Sequence, residues 1–112
     1  MNTALLIGQI TNDIAVERKG EYNFATIYLK VQRDYKSSSG EYIYDYIPIS
    51  LWEGLVSQAT QKYHKGMYVS VRARISTFNG KNEDGTYDNR LSIVGEKLSV
   101  LPQQNQEEGL FA

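Results

Sequence analysis

Apolar and polar side chains alternate along most of this chain, the period of half-buried β-strands. From Ala25 to Gln32 the alternation is strict: Ala25, Ile27, Leu29 and Val31 take one face, and Thr26, Tyr28, Lys30 and Gln32 the other. It returns from Tyr42 to Trp52. Ile43, Ile47, Ile49 and Leu51 share a face broken only by Asp45, and Tyr42, Tyr44, Tyr46, Ser50 and Trp52 lie opposite. From Tyr68 to Phe78, Val69, Val71, Ala73 and Ile75 form an inner row against Arg72, Arg74, Ser76 and Phe78. A strand over Ala4 to Thr11, resuming towards Arg18, precedes these three, and one over Tyr87 to Val100 follows them.

One segment has a different period. Leu55, Val56, Ala59 and Tyr63 fall at helical spacing between Gly54 and Gly66. Lys62, His64 and Lys65 fill the expected last turn, where cations favour the helix dipole, and Gly66 suits a C-terminal cap. Ser37-Ser38-Ser39-Gly40 reads as the hairpin turn between the second and third strands. Asn79 to Asn89, with Asp84-Gly85 inside, reads as the hairpin between the fourth and fifth. The expected order is three strands, one helix, two strands. That is the order of an all-β OB-fold, a five-stranded Greek-key barrel with one helix between strands 3 and 4, though pattern alone also permits another small barrel. The barrel is assigned to residues 1–101. Residues 102–112, opening with Pro102-Gln103-Gln104, form a short polar tail with no apolar period to bury. Pro48 interrupts the third strand, where it removes a ladder donor and points to an edge or a bulge.

The length of 112 residues fits one domain. With no cysteine there is no disulfide framework, thiolate metal site or cysteine nucleophile, which fits a cytoplasmic protein. The apolar run Ala4-Leu5-Leu6-Ile7 is too short for a signal peptide or a membrane span. A net charge of −1 does not announce a polyanion partner. Glu107 and Glu108 lie in the tail, so the part before Pro102 carries one net positive charge.

The unusual feature is nine tyrosines, with one tryptophan and three phenylalanines. Tyr42, Tyr44, Tyr46 and Trp52 lie on the side of the third strand away from its aliphatic row, and Tyr28 is placed similarly on the second. Arg72, Arg74 and Phe78 extend the pattern to the fourth. Exposed aromatic rows mark binding surfaces. Aromatic faces accept bases of any sequence by stacking, while Lys and Arg follow phosphates. Tyrosine is equally a good strand former, cross-strand aromatic pairs stabilise sheets, and subunit interfaces are rich in Tyr and Arg. On pattern alone the two readings are evenly matched. The single histidine, His64, sits between lysines as a solvated or dipole-stabilising group. Glu83, Asp84 and Asp88 crowd one turn without calcium-loop spacing. No cofactor, metal or catalytic site is expected, and the chain does not read as an enzyme.

Several segments in order resemble bacterial single-stranded DNA-binding proteins. Leu6-Ile7-Gly8-Gln9-Ile10-Thr11-Asn12-Asp13 is similar to the family opening VGRLTKDP, with Ile14 where proline is common. Phe24 to Val31 looks like the family's second strand. Tyr35-Lys36 with Gly40-Glu41 matches its aromatic-basic-loop-Gly-Glu pattern. Ile49-Ser50-Leu51-Trp52, the helix and Lys65-Gly66 match the stretch that follows. The resemblance spans about Met1 to Leu101. It implies stacking aromatics at Tyr35, Tyr46 and Trp52. The fourth family aromatic falls on Gly80, with Phe78 two positions earlier as its substitute. Tyr28, Tyr44, Lys30, Lys36, Arg72 and Arg74 complete the expected DNA-binding set.

The implied function is binding of single-stranded DNA without strong sequence preference, in replication, recombination or repair. The alternative is an OB-fold protein-interaction adaptor, such as a primosomal or mobile-element accessory protein. The resemblance also implies a homo-oligomer, tetramer or dimer, with exposed first-strand residues such as Leu5 and Ile7 pairing across a boundary. The resemblance extends to replication or repair proteins as further partners, and Glu107, Glu108 and Phe111 read equally as a docking tip for them or as a polar end without a role. No membrane partner is expected.

Overall fold

Antiparallel pairing of the alternating segments buries their aliphatic rows inside a barrel. The computed structural model describes residues 1–77, 80–88 and 90–102. The expectations for Phe78 and for the tail from Gln103 lie outside the described residues. The elements are β1 (Ala4–Ile10), β2 (Glu17–Lys19), β3 (Tyr22–Lys36), β4 (Tyr42–Trp52), α1 (Gly54–Lys62), β5 (Tyr68–Thr77), β6 (Gly80–Lys81), β7 (Tyr87–Asp88) and β8 (Leu91–Val100). Neighbours run β1-β5-β8-β4-β3-β2, and an added β1–β3 pairing closes the five long strands into a barrel. All pairings are antiparallel except β4 with β8, a parallel bridge at Ser50 and Val94. β6 and β7 form a separate ribbon within the hairpin that the sequence placed there. This is the expected OB-fold.

Ala25, Ile27, Leu29, Ile49, Leu51, Val69, Val71 and Ala73 all point inward and are sealed from solvent. Each such aliphatic side chain larger than alanine contributes roughly 1.5–3 kcal/mol relative to exposure. α1 adds Val56 and Ala59 to this core and touches β3, β4 and β8. Closure between β1 and β3 depends on Gly8. A Cβ there would lie 2.4 Å from the Lys30 carbonyl oxygen, so only glycine lets the two backbones approach this closely.

Four local expectations need correction. Ile75, read as inward, is 46% exposed. β1 begins at Ala4, which pairs with Ala73, so β5 at Ile75 has run past the wall that would cover it. The second strand is longer than its alternation and continues through Tyr35 to Lys36. The resumed first strand is a separate element, β2, on the far edge of β3. The helix stops at Lys62, leaving His64 and Lys65 beyond it, and Tyr63 turns extended with its N–H still bonded to Ala59. Gly66 is therefore a loop residue rather than a cap. Its N–H donates to the Ile10 carbonyl at 2.8 Å, and the Ile10 N–H donates to the Met67 carbonyl at 2.9 Å, tying the end of β1 to the entry of β5.

Candidate nucleic-acid interface

The register of β3 against β4 decides which outer side chains meet. Phe24 lies opposite Trp52, Thr26 opposite Ser50, Tyr28 opposite Pro48, Lys30 opposite Tyr46, Gln32 opposite Tyr44 and Lys36 opposite Tyr42. Tyr28, Tyr42, Tyr44, Tyr46 and Trp52 are all substantially exposed. The strand pair therefore displays a row of rings from Tyr42 to Tyr46 and Tyr28, with Lys30 and Lys36 among them, and Trp52 stands beyond the Thr26–Ser50 pair. The Lys30 ammonium sits 4.3 Å from the centroid of the Tyr44 ring, and the Lys36 ammonium 4.7 Å from that of Tyr42. Tyr46 and Trp52 are six residues apart on one strand, a separation of about 20 Å at roughly 3.3 Å per residue.

The other side of this hairpin is chemically distinct. Asp45, the odd residue in an aliphatic row, is held by a fork from Arg33, whose Nε and Nη2 donate to its carboxylate at distances down to 2.8 Å. These hydrogen bonds hold the Asp45 carboxyl below its ordinary range and push the Arg33 guanidinium upward. Arg33 also donates to the Tyr35 hydroxyl at 2.9 Å. The ladder is irregular between Gln32 and Lys36, which sets Tyr35 beside Arg33 instead of in the Tyr44–Tyr46 row. Tyr35 remains 60% exposed, but its ring belongs to the neutralised side of the arm.

Polar side chains that follow β1 hold the edge of β3 turned away from β4. Asn12 accepts from the Tyr28 N–H at 2.8 Å and donates to the Thr26 carbonyl at 2.9 Å, while Thr11 donates to the Tyr28 carbonyl through both N–H and hydroxyl. Both backbone polar groups of Tyr28 thus face away from β4. Its partner Pro48 is in a non-hydrogen-bonded pair, so the missing N–H costs no ladder bond. It faces the side where β4 meets β8 only at Ser50. Immediately after Trp52, Glu53 takes φ 51° and ψ −119°, a conformation suited to glycine, and its N–H donates to the Asn23 carbonyl at 3.0 Å.

Arg72 and Arg74 are not in this cluster. They lie on the outer side of β5, separated from β4 by β8, and Arg74 faces Glu96 at 3.9 Å. Arg72 sits between Leu5 of β1 and Lys97 of β8. Leu5, at 76% exposed, and Ile7 beside it form an apolar strip on β1. Where β1 splays from β3, a groove of about 490 Å³ continues the tyrosine face past Lys30, Gln32 and Tyr44 to Gln9 and Tyr68.

Two residues that the sequence reading did not mark for a role stand out. Phe24 stacks on Trp52, with ring centroids 5.2 Å apart and planes 28° from parallel. Its place on the outer row of the second strand was a legible signal. Asn12 gave none, since its partners are backbone atoms fixed only by the fold.

Comparison with known proteins agrees with this architecture. The chain is 28% identical over 109 residues to single-stranded DNA-binding protein 3 of Streptococcus agalactiae, covering 96% of this chain and 79% of the relative. It is 28% identical, over 96% of its own length and 54% of the relative, to the single-stranded DNA-binding protein of Lactiplantibacillus plantarum. A crystal structure of a deletion mutant of the single-stranded DNA binding protein from Thermus aquaticus superposes with a TM-score of 0.71 at 17% identity, over 90% of this chain. The chain spans half the length of that protein. The profile of the single-strand binding protein family matches residues 1–101, and the chain belongs to that family.

Proposed function

We propose that this protein binds single-stranded DNA without strong sequence preference, along the outer face of β3 and β4. The observation that carries the reading is the row of exposed rings on β4 with Lys30 and Lys36 set among them. Stacking requires an unpaired base with a free π-face, and duplex bases have none to offer. In this reading Tyr46 and Trp52 are the principal platforms, Tyr28, Tyr44 and Tyr42 flank them, and Lys30 and Lys36 leave their rings to meet phosphates. Tyr35, exposed on the Arg33 side of the arm, takes a base in this reading only where the strand passes round the tip. The role is protection of exposed strands in replication, recombination or repair, in the cytoplasm, and no catalysis is involved.

We further read the Leu5–Ile7 strip as the contact through which subunits associate, because this part of β1 pairs with β5 alone, ahead of the closure with β3, and carries outward leucine and isoleucine. Light scattering of a monomer at micromolar concentration would remove that part alone.

The chain's single tryptophan makes the direct test simple. Titration with oligo-dT, followed through Trp52 emission, should give saturable quenching, and a duplex of equal length should bind far more weakly. Equal affinity for duplex and single strand, or no response to either, would overturn the reading in favour of a protein-binding adaptor.

A further inference from the structure

We propose that Phe24 is a positioning residue for the Trp52 platform. It holds the indole in the plane from which a base stacks, so that ring, ring and base form one three-layer stack. The proposal rests on the single-stranded DNA reading above and adds to it a residue and a division of labour.

Phe24 occupies an outward position of β3, between inward residues of the core, yet it is half-buried. Its cover comes from its neighbours on either strand: Trp52 on β4 and, on the other side, β2 at Glu17. The stacking geometry with Trp52 is that of an offset pair, in which the two π-faces overlap without direct opposition of their quadrupoles. One face of the indole is thereby occupied. Its other flank lies towards the side of β4 where the ladder with β8 has a single bridge, at Ser50, and Trp52 keeps 36% of its surface exposed. An indole held by a stacked ring while part of its surface stays exposed is a preorganised platform. Without Phe24 it would sample several rotamers, and binding would have to order it.

The backbone reinforces the pairing. The Glu53 N–H bonds to the carbonyl of Asn23, so the residues directly flanking the two rings are tied together. The chain turns away at Glu53 through a backbone conformation that non-glycine residues rarely adopt. The pair therefore sits at a fixed corner of the sheet, whereas Tyr42 and Tyr44 each carry a lysine ammonium over the ring.

A double-mutant cycle tests this. Phe24→Leu keeps apolar bulk but removes the ring. Oligo-dT affinity should fall roughly three- to tenfold, and Trp52 emission of the free protein should shift red with lower anisotropy. Phe24→Tyr should restore both. In a Trp52→Leu background, Phe24→Leu should add nothing, since Phe24 acts through the indole. Melting curves check folding, and Phe24→Met replaces Phe24→Leu if the latter does not fold. If Trp52→Leu weakens binding but folded Phe24→Leu leaves affinity and emission unchanged, the proposal falls and the DNA reading stands. Equal losses from Phe24→Leu with and without Trp52 also overturn it. If Trp52→Leu itself binds like the parent, the DNA reading of this face fails and takes the proposal with it.

Discussion

Replacing Tyr46 and Trp52 together by alanine separates a DNA platform from a structural aromatic row. Each base–aromatic stack is worth roughly 1–3 kcal/mol by such truncation. The two side chains are about 20 Å apart along β4, beyond the range of roughly 7–10 Å within which mutational effects couple. Their losses should therefore add to about 2–6 kcal/mol, an affinity drop of roughly thirtyfold to twenty-thousandfold. Stability should respond quite differently. Tyr46 is 59% exposed, so its loss should stay within about 0.5 kcal/mol. Trp52 gives up its stack on Phe24, about 0.5–1.5 kcal/mol, with some partial burial. Ile49→Ala, at a sealed position of the same strand, should cost about 2–5 kcal/mol of stability and is the control for a core change. Because the double variant lacks tryptophan, binding is read by anisotropy of a labelled oligo-dT, alongside melting and light scattering. If these rings serve a subunit contact instead, the mass of the oligomer changes and affinity per subunit does not. A folded double variant that binds like the parent would refute the reasoning.

Three further outcomes follow from the geometry. Gly8→Ala forces a methyl to 2.4 Å from the Lys30 carbonyl oxygen; β1 and β3 must separate, and thermal melting should show a loss of more than about 1 kcal/mol, so an unchanged midpoint would contradict the closure argument. Glu53→Gly removes a side chain from a glycine-like backbone angle and should raise stability by about 1 kcal/mol in chemical denaturation, with a fall in stability counting against the strain. Asp45, hydrogen-bonded by Arg33, should titrate by NMR below an ordinary aspartate, and Arg33→Gln should bring its midpoint back up. Since its folded pKa is lowered, the stabilisation it gives is present above the ordinary aspartate range and disappears as pH falls through the lowered value.

The barrel was legible because its signal is local. A period of two assigns faces whatever the partner strand, and the aliphatic rows of β3, β4 and β5 point inward almost as read. The misreadings share one cause: they concern where an element ends, which depends on neighbours that alternation cannot name. Ile75 continues its row but outruns β1. Tyr35 and Lys36 continue β3 because the hairpin arm pairs with β4 beyond the barrel, although the alternation has already broken. His64 and Lys65 look like a last helical turn, yet the chain must leave the helix at Tyr63 to carry Gly66 and Met67 back to Ile10.

The site was legible only in part, because composition counts residues and recognition depends on register. The sequence could place Tyr28, Tyr44, Tyr46 and Trp52 on outer faces, but a count of cations could not say which of them remain available. Arg33 is absorbed by Asp45 and Tyr35, and Arg74 faces Glu96. Among the described residues, Lys30 and Lys36 face the π-faces of tyrosines, a weak hold of roughly 0.5–1 kcal/mol at an exposed site. A charge-assisted contact with phosphate can replace it. The net charge of −1 is thus a poor guide to this surface: cations paired with carboxylates are set apart from the ring row, and two that face rings lie within it. Pairing register also explains Phe24. Its alternation marks it as outward, but only the pairing of β3 with β4 sets it opposite Trp52 and turns an exposed phenylalanine into one layer of an aromatic stack.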